Sequence, residues 1–239
     1  NLAITRLSLD ILKDTIRVLI GEPDAARSRV ADSNTSTDKA SLAQFISSYN
    51  LVLPQRLALL AQEIGSGNPY PGFWRTRVNS TTTAATANLV VAAGSQTVNL
   101  PDDYLRYISF YDRTNSRPIY TTQEVARWHV DRLRKKPEGP PEAIEILGVD
   151  SGSRWEARLW PPTGVGVTPS LELTYWRMPA NMPDTTPASE YPDAPPEFHF
   201  LWVIGPITLL LATDDPAWSR FREQERELLT QMLRSADAY

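Results

Sequence analysis

Cysteine is absent from the 239 residues. That excludes disulfides, thiol catalysis and sulfur-built zinc sites, and it fits synthesis in a reducing compartment. Histidine occurs twice, at His129 and His199, and neither has a partner at metal-ligand spacing. Both read as ordinary core or surface residues, so no metal and no cofactor is expected. Glycine is sparse, with 11 residues. Gly148 to Gly152 and Gly164 to Gly166 read as turns between strands, without the Lys-Ser/Thr tail of a phosphate loop. No G-x-S-x-G elbow occurs. The carboxylate pairs Asp102-Asp103 and Asp214-Asp215 are adjacent in sequence only and read as turn and cap residues. No catalytic residue is assigned.

Long apolar runs are missing too. The longest, Phe198 to Ala212, contains His199, Gly205, Pro206 and Thr208. It falls short of the ~18 apolar residues of a membrane span and reads as a buried helix. The N-terminus lacks a signal peptide's order of basic, apolar and small zones. Excess positive charge is lacking as well: 24 Lys and Arg stand against 28 Asp and Glu, a net −4. This argues against an electrostatic grip on nucleic acid. The basic run Arg132–Lys136 reads as the end of a helix complementing its dipole, and Arg220–Arg226 as a solvated helix face. Proline is abundant, with 20 residues, which predicts stiff connections.

Helical periodicity appears at both ends of the chain. Leu7, Ile11, Leu12, Ile16 and Leu19 form one stripe over 5–20. A second helical region begins with Thr37 or Asp38 as N-cap and runs to Ile64, with Pro54 either kinking it or opening a second helix. Helix returns at 195–213 and at 215–235. Between them, short Thr-, Val-, Tyr- and Trp-rich runs predict strands at 73–80, 85–92, 95–100, 104–111, 117–121, 143–149, 154–160 and 170–177. A short helix over 122–134, capped by Thr121 or Thr122, would pack through Val125, Trp128 and Leu133. The predicted class is α+β: a helical bundle of the N- and C-terminal helices (1–68 and 190–239) with an inserted β-rich, sandwich-like subdomain (69–189).

Two stretches carry a family likeness. One is Leu100-Pro101-Asp102-Asp103-Tyr104-Leu105-Arg106, followed by a strand. The other is Leu171-Glu172-Leu173-Thr174-Tyr175-Trp176, then a Pro-rich link, Tyr191-Pro192-Asp193, an apolar helix, Asp214-Asp215 and a Trp-containing helix. In this order, over about 85–235, they resemble the head-to-tail adaptor (head-completion or connector) proteins of tailed bacteriophages. Pro206 departs from the uninterrupted helix usual in that family.

The resemblance implies a structural virion protein, made in the host bacterial cytoplasm and placed at the head-tail interface. Copies would form a homo-oligomeric ring, of about twelve, below the portal protein, with a downstream tail protein docking onto it. Genomic DNA would pass through without specific binding. It also implies that the C-terminal segment engages the portal. Leu228, Leu229, Met232 and Leu233 are apolar beyond what an exposed chain end needs, and with Tyr239 they are the expected docking residues. Two other readings stand beside it. One is another tail ring or stopper component. The other is a carbohydrate-binding or hydrolytic module, with the seven Trp as sugar platforms.

Overall fold

The structure, a computed structural model, describes residues 7–21, 30–31, 40–81, 89–91, 94–149, 154–180 and 192–235. It is mixed α and β. The chain divides into two compact units, Asn1–Phe73 with Pro179–Tyr239, and Trp74–Met178.

The first unit is helical. Helix α1 (Leu9–Leu19) buries Leu9, Leu12 and Ile16, spaced at three and four residues. Two-residue strands β1 (Val30–Ala31) and β2 (Ala40–Ser41) pair in parallel. The predicted caps Thr37 and Asp38 lie outside the described residues. Helix α2 (Leu42–Glu63) is capped instead by Ser41, whose hydroxyl accepts from the Gln44 amide at 3.3 Å. It runs through Pro54 as one helix. A 3₁₀ turn (Pro196–Phe198) precedes α4 (Leu201–Leu210), so the run predicted over 195–213 is split. Helix α4 is buried on every side from Leu201 to Thr208, which suits a central helix; α1, α2 and α5 (Pro216–Arg234) all pack on it. Asp215 caps α5 by accepting from the Ala217 amide at 2.8 Å, with Pro216 at the first helical position.

Gly205 sits where α4 meets α2. The Tyr49 ring lies against its backbone, and a Cβ at 205 would overlap ring atoms Cζ, Cε1 and Cε2. Tyr49 is itself fully buried. Glycine here is a packing requirement and not a turn.

The second unit is a barrel. Its strands are β3 (Arg75–Thr81), β4 (Leu89–Val91), β5 (Thr97–Asn99), β6 (Tyr104–Asp112), β7 (Arg117–Thr121), β8 (Ala143–Val149), β9 (Trp155–Trp160) and β10 (Leu171–Arg177). They close in the order β10-β3-β4-β5-β9-β8-β7-β6. Pairings β3–β4 and β7–β8 are parallel and the rest antiparallel. This corrects the sandwich-like expectation. Alternating burial looks the same in a sandwich and a barrel, whereas closure depends on β10 pairing with both β3 and β6. The interior is filled by Leu89, Val98, Phe110, Ile144, Leu159, Leu173 and their neighbours, so this barrel is a packed core without a bore.

Three local expectations change. Gly148 is not in a turn: it lies inside β8, at φ +117°, where the register against β9 shifts between Ile146 and Gly148. That is a bulge, a frequent place for glycine in a strand. Helix α3 (Arg127–Arg134) starts later than predicted, after Ala126; the Thr121 amide and hydroxyl instead donate to Glu124 in a turn ahead of it. Its buried side is Val130 and Leu133, which leaves Trp128 exposed.

Candidate interaction surfaces

The two sequence stretches that carry the likeness meet in the barrel. Leu173 and Tyr175 of β10 pair with Phe110 and Tyr107 of β6. Asp103 accepts from the Tyr175 hydroxyl at 2.7 Å, and its backbone carbonyl accepts from the Met178 amide at 2.7 Å. Asp102 pairs with Arg154 at 2.8 Å. Tyr104 packs against Tyr175 and Trp155, with ring centroids 5.9 and 5.7 Å apart. The Leu-Pro-Asp-Asp stretch therefore starts β6 and fastens it to the end of β10. Burial pushes Tyr104 and Tyr107 up to about 12. Burial and the adjacent Asp103 carboxylate push Tyr175 higher still.

Beside α3, a pocket is lined by Arg117, Tyr120, Glu124, Val125, His129 and Glu142. Glu142 lies 2.8 Å from Lys136 and 3.5 Å from His129. Burial raises its carboxyl, but Lys136, Arg117 and His129 together outweigh that and hold it below the ordinary glutamate value. Across α3, Arg134 pairs with Glu145 at 3.2 Å, and Glu145 also accepts from Trp160 Nε1 at 3.1 Å.

In the helical unit, a groove runs between α2 and α5. Leu59, Leu60, Trp218 and Leu229 form its apolar part, with Arg56, Arg222 and Arg226 among its rim residues. Beneath it lies a charge cluster that the sequence reading missed. Glu225 is fully buried and bridges Arg56 and Arg222. Arg56 also donates to Thr208 Oγ1 at 2.9 Å and lies over the Tyr49 ring at 5.5 Å. Burial, then the Glu225 charge, drives the Tyr49 phenol well above its ordinary value. The Tyr49 hydroxyl lies near that carboxylate without the geometry of a formed hydrogen bond. The run Arg220–Arg226 is thus not simply solvated, since Phe221 and Glu225 face inward. The signal was the spacing: Phe221, Glu225 and Leu229 recur every four residues on one face.

His199 is a brace. It is buried, its Nδ1 accepts from the Leu7 amide at 3.0 Å, and Nε2 faces the Ala194 carbonyl at 2.9 Å. That pattern selects the neutral tautomer protonated on Nε2. Asn50 is a second brace: Oδ1 accepts from Trp202 Nε1 at 2.6 Å and Nδ2 donates to the Ala180 carbonyl at 3.2 Å. Of the expected docking residues, Leu229, Met232 and Leu233 are buried in their own unit and Leu228 is half-buried. Tyr239 lies outside the described residues. Among the described residues there is no cluster of three or more potential metal ligands, and no helix is long and apolar enough to cross a membrane.

The polar clusters found here brace the fold and hold up exposed apolar and arginine-bearing surfaces. The chain matches the family model described as SU10 adaptor protein over residues 9–238, nearly its whole length, and it belongs to that phage head-to-tail adaptor family. No curated protein matches the chain.

Proposed function

We propose that the chain forms a ring of about twelve copies below the portal, extends the DNA channel and offers the platform on which the tail docks. It does this without catalysis. The observation that supports this reading is the family match across residues 9–238. In this reading the helical segments at the two ends act as one bundle domain, and the β-rich region is an insertion into it.

The charge distribution fits the part. The helical unit carries 11 Lys and Arg against 17 Asp and Glu, a net −6, and the barrel unit 13 against 11, a net +2. A net-acidic ring lets DNA pass without holding it. The tryptophans do not favour a sugar platform: Trp74, Trp176 and Trp202 are buried, and Trp128 is the strongly exposed one among the described residues.

The C-terminal segment is the proposed portal contact. Because Leu229, Met232 and Leu233 are buried in the unit, docking falls to Leu228 and to the residues after Ser235, Tyr239 included. The test is co-sedimentation of the purified chain with capsids that carry portal but lack tails. Binding to these, with none to portal-less capsids, is the expected result. Equal binding to both, or to neither, would refute the adaptor role.

A further inference from the structure

Helix α3 presents a surface that the fold does not use. Trp128, Asp131, Arg132 and Lys135 recur at i, i+3, i+4 and i+7, so they share one face. Trp128 is 68% exposed, with the Arg132 guanidinium over its ring at 5.9 Å. The segment Arg127–Lys136 holds five cations and one carboxylate in a chain of net −4. Arg134 and Lys136 are neutralised by Glu145 and Glu142. No ion pair among the described residues engages Arg127, Arg132 or Lys135. An exposed tryptophan with an arginine over its ring is the composition of a protein-binding hot spot. Phosphate contacts alone would not call for the indole.

Helix α1 carries the complementary composition. Asp10, Ile11, Asp14 and Val18 fall on one face. Ile11 is 44% and Val18 61% exposed, and the Asp14 side chain is 77% exposed although it also holds Arg17 at 3.0 Å. Two valine- and isoleucine-sized side chains in line with two aspartates face an indole in line with an arginine and a lysine, and the α3 face stays net positive with Asp131 counted against Arg132 and Lys135.

We infer that neighbouring copies meet through these faces, α1 of one copy on α3 of the next. The inference rests on the ring reading above and names its interface. Because the two patches differ, the contact is heterologous, and each copy uses both; such contacts generate rings when the rotation closes. Opposite charge also sets the direction of assembly and penalises α1–α1 and α3–α3 pairings.

The experiment uses three variants of the full chain: Asp10→Lys with Asp14→Lys, Arg132→Glu with Lys135→Glu, and all four together. Self-association is measured by sedimentation velocity for the free chain and by imaging on portal-bearing capsids. Circular dichroism checks folding, and Trp128→Ser serves as a charge-neutral second probe. Each one-face reversal should weaken association about tenfold or more, Trp128→Ser should weaken it too, and the fourfold variant should recover most of the loss. A wild-type ring untouched by both reversals overturns this interface and leaves the ring reading standing. So does an α3 reversal that keeps the ring but loses tail or DNA contact, since the face would then belong to that partner. A wild-type chain that stays monomeric in both settings overturns the ring reading itself.

Discussion

The helical unit buries a carboxylate, a histidine and an asparagine among its helices, whereas the barrel keeps an apolar interior and sets its ion pairs outside. Asp112 is the barrel's charged exception among the described residues: it is buried at the end of β6, accepting from the Asn115 amide at 3.1 Å and Nδ2 at 2.6 Å. The contrast follows from how each architecture fixes its register. Barrel strands are locked to one another by backbone hydrogen bonds, and a slip by one residue turns every core side chain outward. Packed helices have no such ladder. Apolar helices such as α4 can slide or rotate at small cost, and directional polar contacts remove that freedom. Glu225 with Arg56, Asn50 with Trp202, and His199 with Leu7 each tie together segments distant in sequence.

The largest effect should come from breaking that distinction where it is sharpest. Glu225→Ala strips the half-buried Arg56 of its carboxylate and empties a fully buried position, and should cost about 3–5 kcal/mol in urea unfolding. Replacing Glu225 and Arg56 together by Met should recover much of this, because the desolvation cost goes with the charges. In the barrel, the comparable lesion is a cavity: Leu173→Ala should cost about 2–5 kcal/mol.

Alkaline titration acts on both units, through Tyr49 in the helices and Tyr104 and Tyr107 in the barrel, and has a definite sign. Tyr104 and Tyr107 are raised from an ordinary value of 10.0 to about 12 in the folded barrel. A group with a raised folded pKa gives its full stabilisation below its unfolded pKa and loses it as pH climbs through the folded one. Barrel stability should therefore hold up to about pH 10 and fall between about 10 and 12, read as tyrosinate absorbance rising together with unfolding. Titration of every tyrosine near 10 in a folded protein would contradict the burial of these phenols.

The smallest effects should lie on the surface. Asp102→Ala removes a partly exposed pair with Arg154 and should cost no more than about 1 kcal/mol. Truncation after Ser235 removes four residues beyond α5 and should change stability by less than about 0.5 kcal/mol. It should nonetheless weaken binding to portal-bearing capsids. Unchanged binding would remove the chain end from the docking role.

What could be read from the sequence divides along the same line. The strands were legible because alternation in Trp155–Trp160 and Leu171–Arg177 reports one buried face directly, and the described strands fall close to their predicted spans. Closure was not, since it lies in which strands pair, and β3–β4 and β7–β8 pair in parallel. In the helices, period and capping placed α1 and α5 well. Polar members of apolar stripes were misread: Glu225 looked solvated beside its charged neighbours, and Trp128 looked buried because indoles usually are. Both errors come from weighing residue type over helical phase. The family likeness was legible in residues, Asp103, Tyr104 and Tyr175 among them, that fasten β6 to β10. The C-terminal apolar stripe was ambiguous, because the same residues can serve a core or a partner, and Leu229, Met232 and Leu233 are buried within their unit.

The adaptor role itself is tested most directly by imaging single vertices of portal-bearing, tail-less capsids after incubation with the purified chain. The expected result is a closed ring of about twelve copies beneath the portal, coaxial with it and open along the DNA path. Unaltered vertices, or copies bound without a ring or away from the portal, would contradict it.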